Sequence, residues 1–76
     1  RSFGFYPNPT SGKVAISGII SGDKINVYNE LGRLIRTITS TSNTNLKIEL
    51  SDQPKGLYVV HIQSKNTSFT HRIILQ

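Results

Sequence analysis

Seventy-six residues allow one small domain, and a chain of that size buries only about 60% of the surface it exposes when unfolded. The absence of cysteine excludes disulfides, thiolate zinc sites and cysteine nucleophiles together. Nine Lys and Arg against four Asp and Glu give a formal charge of +5, yet the cations Arg1, Lys13, Lys24, Arg33, Arg36, Lys47, Lys55, Lys65 and Arg72 stand singly, as on a solvated basic surface rather than in an anion groove.

In chain order the sequence reads as short strands between turns. The first is Phe3 to Tyr6. The box Tyr6-Pro7-Asn8-Pro9-Thr10-Ser11-Gly12 follows. Each proline fixes its own φ and pushes the residue before it into extended geometry, while Gly12 is expected to turn left-handed and reverse the chain. Val14-Ala15-Ile16 is the second strand. Ser17-Gly18 and Ser21-Gly22 bracket the apolar pair Ile19-Ile20. Ile25 to Tyr28 alternates as a third strand. Asn29-Glu30-Leu31-Gly32 joins it to Leu34 to Ile38, with Gly32 where a type I turn and bulge want positive φ. Ser40 to Asn45 is polar and reads as a loop. Leu46 to Leu50 keeps a strict period of two. Leu57 to Ile62 is nearly all apolar, as a strand covered on both faces would be. Ser64 to Thr67 is a hairpin tip before the last strand, Phe69 to Leu75.

About seven short strands and no helical spacing predict an all-β fold, a small immunoglobulin-like antiparallel β-sandwich. Tyr58 sharpens that expectation. It begins the most apolar strand just after the corner Asp52-Gln53-Pro54-Lys55-Gly56, where such sandwiches place a tyrosine whose hydroxyl bonds back to the corner.

No catalytic constellation assembles, so an enzyme is not expected. Asp23, Glu30, Glu49 and Asp52 read as turn or surface acids rather than a carboxylate pair. His61 and His71 lie on different strands and could approach one another, but two histidines without a third ligand make a weak metal site. No nucleophile elbow or phosphate-binding glycine loop occurs, and neither a metal nor a cofactor is expected. Asn66-Thr67-Ser68 is a low-specificity glycosylation sequon, and Asn8-Pro9-Thr10 is excluded by its proline. Tyr28, Tyr58, Phe5 and Phe69 read as core filling before they read as a stacking face. No run of 18 apolar residues and no signal peptide occurs, so membrane insertion is not expected. The chain opens at Arg1, and it reads as a piece of something longer.

The turn signals, taken in order, resemble the C-terminal sorting domains of type IX (Por) secretion-system cargo. That family opens with a Tyr-Pro-Asn-Pro-Thr-x-Gly box, complete here as Tyr6, Pro7, Asn8, Pro9, Thr10, Ser11 and Gly12. It continues with an alternating strand ending in a turn with Gly and a basic residue, here Ile25 to Gly32-Arg33. A segment ending in Gly-x-Tyr follows, here Gly56-Leu57-Tyr58. It closes on a basic residue and a short apolar strand, here Arg72, Ile73, Ile74, Leu75 and Gln76, with Arg72 where the family more often has Lys.

The resemblance spans residues 6–76 and leaves 1–5 as the end of an upstream linker. It implies a secretion signal for a Gram-negative cargo protein, which passes through the periplasm to the cell surface or the medium. The implied partners are the upstream cargo in the same chain, translocon components and a sortase-like surface peptidase. Removal of the domain and attachment of the cargo to anionic lipopolysaccharide commonly follow. An exposed last strand would offer unpaired backbone to a translocon partner or a second copy. Two other classes compete: an adhesive or carbohydrate-binding sandwich, which predicts an exposed aromatic row, and a polyanion-binding module, which predicts salt-dependent binding. Nucleic acid is not an expected partner, because no strand interleaves aromatic with basic residues.

Overall fold

A computed structural model describes residues 2–41 and 45–76. Seven strands form: β1 (Gly4–Tyr6), β2 (Lys13–Ser17), β3 (Lys24–Tyr28), β4 (Leu34–Thr39), β5 (Leu46–Glu49), β6 (Gly56–Gln63) and β7 (Ser68–Leu75). They pair antiparallel into a three-stranded sheet, β1-β2-β5, and a four-stranded sheet, β4-β3-β6-β7. In immunoglobulin lettering these are A-B-E against C′-C-F-G, so the sandwich expected from the sequence is the one observed. Part of the expected Ser40–Asn45 loop, residues 42–44, lies outside the described residues, as does Arg1.

Period-two alternation explains the layers. Val14 and Ile16 of β2, Ile25 and Val27 of β3, Ile48 of β5, Tyr58, Val60 and Ile62 of β6, and Ile73 and Leu75 of β7 all point between the sheets and are buried. Burying each of these side chains contributes about 1.5–3 kcal/mol. Lys13, Lys47 and Glu49 take the alternate positions and remain exposed. One expectation is corrected here. β6 is central but covered on one face only, because Leu57, Val59 and His61 point outward and are half-buried. No third layer lies over them among the described residues, and Tyr28, which pairs with Val59, shares that outer face.

The corner before β6 forms as the sequence predicts. The Tyr58 hydroxyl donates to the Pro54 carbonyl, tying the first inward residue of β6 to the turn that feeds it. The β3–β4 turn also forms as expected. The Gly32 amide donates to the Asn29 carbonyl at 2.9 Å, Gly32 has φ +80°, and the pairing register shifts at Val27/Tyr28 as a bulge requires.

The Pro-Asn-Pro-Thr box crosses from one sheet to the other. β1 pairs with β2 in the smaller sheet, and four residues after β1 Thr10 bridges in parallel to Leu75 of the larger one. The peptide bonds Tyr6–Pro7 and Asn8–Pro9 are both cis. Proline suits such a crossing because it needs no partner for an amide hydrogen while the chain leaves one ladder for the next. Beside this crossing Phe5, Phe69 and His71 stack, with the Phe5 and His71 ring centres 4.2 Å apart and 8° from parallel.

Candidate functional site

The boxes singled out in the sequence lie far apart in the chain, and the fold gathers them at one end of the sandwich. Leu75 is the junction. It pairs with Gly56 on one side and bridges Thr10 on the other. Glu30, from the β3–β4 turn, accepts a hydrogen bond from the Leu57 amide at 2.9 Å and so ties that turn to the same end. Gly12 joins from the opposite sheet, its carbonyl accepting from the Leu50 amide at 2.7 Å.

The seam between the first box and the last strand is specific in its chemistry. The Asn8 side chain acts as a peptide group. Its Nδ2 donates to the Arg72 carbonyl, and its Oδ1 accepts from the Ile74 amide, both at 3.1 Å. Two residues on, the backbone takes over. The Thr10 amide donates to the Ile74 carbonyl and the Gln76 amide donates to the Thr10 carbonyl, both at 2.8 Å. Thr10 is 2% exposed, so its hydroxyl needs partners; it donates to the Lys13 carbonyl at 2.6 Å and accepts from the Gly12 amide at 3.1 Å.

Gly12 corrects an expectation. It does not have positive φ, so it is not a left-handed reversal. It is needed for space. It is buried, and a Cβ there would stand 3.0 Å from the Ser51 Cβ. Gly56 is needed for both reasons, since its φ is +148° and a Cβ would strike the Glu30 carboxylate.

Tyr6 is not brought to the seam. It pairs with Ala15 in the smaller sheet, and its hydroxyl accepts from Asn45 Nδ2 at 3.1 Å. A depression of about 410 Å3 lies there, lined by Tyr6, Pro7, Lys13, Ala15, Lys47 and Glu49 among others. Tyr58 and Gly32 are absorbed by the corner and the turn. Pro7, Asn8, Pro9, Arg72, Ile74 and Gln76 are exposed, whereas Ile73 and Leu75 are core.

The acids turn out to be structural, though one of them is not on the surface. Asp23 is 2% exposed, accepts from the Ile20 amide at 3.0 Å and from the Ser64 hydroxyl at 2.9 Å, and thereby fixes the turn entering β3. Its burial goes against the surface alternative, while its place at the turn entering β3 fits the turn alternative. Asp52 pairs with Arg36 at 2.5 Å, an exposed pair of small energetic weight. Glu49 accepts from both the hydroxyl and the amide of Ser51, and the Ser51 hydroxyl bond chiefly holds its pKa below the ordinary carboxylate value. His61 and His71 do not converge. His71 pairs with Val60, the neighbour of His61, so alternation sends the two rings to opposite faces of the sheet. Tyr58 is buried and Phe5 is half-buried against the core, while Phe69 is 37% exposed and stacks on Phe5 with ring centres 6.2 Å apart, so of these three one alone stands open to solvent and they make no exposed row.

The residues that sequence reasoning missed are Asn29, Glu30 and Asp23. Asn29 had a signal, because an Asn opening such a turn commonly caps it; its Oδ1 accepts from the Leu31 and Arg33 amides at 2.9 and 3.0 Å. The contact of Glu30 with Leu57 spans 27 positions and had none.

The family model described as "Secretion system C-terminal sorting domain" matches residues 4–76. The chain belongs to that family. Its members are type IX secretion sorting signals rather than enzymes, and the cargo they direct reaches the cell surface or the extracellular space of Gram-negative bacteria. Among solved structures the sorting domain is similar to part of PorZ, an essential bacterial surface component of the type IX secretion system of Porphyromonas gingivalis. The TM-score is 0.78 at 20% identity over 97% of this chain and 11% of that one, a likeness of fold. No curated protein sequence matches significantly.

Proposed function

We propose that this domain is the export address of an upstream cargo protein, read by type IX translocon components at the end of the sandwich where the boxes meet. One observation carries this reading. Thr10, Leu75, Gly56 and Glu30 are joined in an unbroken series of contacts, so motifs up to 66 positions apart become one surface. The exposed residues on that surface, Pro7, Pro9, Arg72, Ile74 and Gln76, are the ones a partner would touch, while Asn8 fastens the first box to the last strand. Gly12, Gly32, Gly56, Tyr58, Ile73 and Leu75 hold the surface in shape, and Tyr6 marks its margin.

In this reading the cargo passes through the periplasm, and a sortase-like surface peptidase removes the domain as the cargo is attached to anionic lipopolysaccharide. Residues 1–5 then lead from the cargo. Gly4 and Phe5 are held in β1, and Phe3 packs on the core, which favours a cut ahead of Phe3.

The test is a transplant. Residues 1–76 are fused to the C-terminus of a fluorescent protein carrying an inner-membrane export signal. The fusion is expressed with and without a working type IX system. Surface or medium fluorescence only in the competent strain is expected. Fluorescence held in the periplasm of both strains would remove the proposal.

A further inference from the structure

β7 is the last strand of its sheet, with β6 on one side and, among the described residues, no strand on the other. Ile74 uses both its amide and its carbonyl on the side away from β6. Backbone groups alternate along a strand, so Ser68, Thr70 and Arg72 turn theirs the same way. This outer edge has two halves. The half from Arg72 to Gln76 is occupied by Asn8 and Thr10 through four hydrogen bonds. The half from Ser68 to Thr70 has no strand neighbour among the described residues.

The occupant is a poor strand. Pro7 and Pro9 have no amide hydrogen, so the segment offers one side-chain amide and one backbone residue where a regular strand would offer a ladder. Its direction is nonetheless informative, since Thr10 and Leu75 pair in parallel. The ligand this edge accepts is therefore already visible: peptide backbone, extended and parallel to β7.

We infer that the outer edge of β7 is the docking strand for an extended segment of the export machinery, which pairs in parallel from Ser68 onward and displaces Asn8 from Arg72 and Ile74. The inference rests on the sorting reading above. An isolated edge strand invites unwanted pairing, and the proline-flanked segment protects it at low cost to a true partner. A regular strand offers more backbone bonds than the segment it replaces, so exchange favours the partner.

The experiment has two parts. In the purified chain, Asn8→Ala should speed amide hydrogen exchange at Ile74 and Gln76 by at least about tenfold and leave Tyr58 and Val60 unchanged. In the fluorescent fusion, Asn8→Ala should be exported at least as well as the wild type. Thr70→Pro removes an outward amide without touching the β6 ladder, and it should be retained in the periplasm although folded. If Thr70→Pro does not fold, Ser68→Pro at the start of the strand takes its place. Normal export of a folded proline variant would overturn strand addition. Loss of export for a folded Asn8→Ala would overturn displacement, as would its conversion to a dimer that is no longer exported. Failure of the wild-type fusion would count against the sorting reading itself.

Discussion

Two regions at the same end of the molecule carry motif residues, and they use them differently. At the corner, Gly56 and Tyr58 are consumed by the fold: the glycine has φ +148° under the Glu30 carboxylate, and the tyrosine is 3% exposed with its hydroxyl on Pro54. At the seam, Asn8, Arg72 and Ile74 are exposed and meet through weak, solvent-accessible bonds. The corner builds a shape and the seam displays it. On the proposed reading a motif mixes residues that make a surface with residues a partner would read on it, and burial separates the two.

The largest expected effect comes from two neighbours on β7. Ile73 is 0% exposed, and Ile73→Ala should cost about 2–5 kcal/mol. In a domain of this size each kcal/mol lowers Tm by about 4–8 °C, so a thermal melt reads it directly. Ile74 is 41% exposed, and Ile74→Ala should stay within about 0.5 kcal/mol. Equal melting losses for the two would break the division. The same contrast shows why deleting Arg72 to Gln76 is a blunt test of recognition, since it removes Ile73 and Leu75 from the core.

Gly56→Ala comes next. Backbone strain alone should cost about 1–3 kcal/mol. Adding Glu30→Ala should recover the steric part but not the strain, measured as incomplete recovery of Tm in the double variant. Tyr58→Phe should cost about 1 kcal/mol, the usual worth of one hydrogen bond, by chemical denaturation.

The smallest effect is electrostatic. Glu49 has a folded pKa below its ordinary value of 4.5, held there first by the Ser51 hydroxyl. Its contribution to stability is therefore fully present above pH 4.5 and is lost as pH falls through the lower, folded value. Ser51→Ala should flatten the acid limb of Tm against pH and leave the neutral plateau nearly unchanged.

Much of the fold was legible in the sequence. Strands such as Leu46 to Leu50 announce themselves by alternation, and Tyr58 by its place after a Pro-Gly corner. Gly32 was legible because its turn demands positive φ. Gly12 was misread because a glycine in a sequence does not say whether it serves φ or space; only the approach of Ser51 decides. Whether the histidines meet was not legible, because a one-residue difference in register sends a side chain to the other face. The seam was invisible. Nothing in Asn8-Pro9-Thr10 encodes a parallel bridge to a strand more than 60 positions away.

The most direct test of the central claim compares two folded variants in the fluorescent fusion, in a strain with a working type IX system. Tyr58→Phe alters a buried corner, and Arg72→Glu combined with Ile74→Asp alters the display. The account predicts wild-type surface fluorescence for the first and periplasmic retention for the second, with both domains folded. Export of the double variant together with retention of Tyr58→Phe would contradict it.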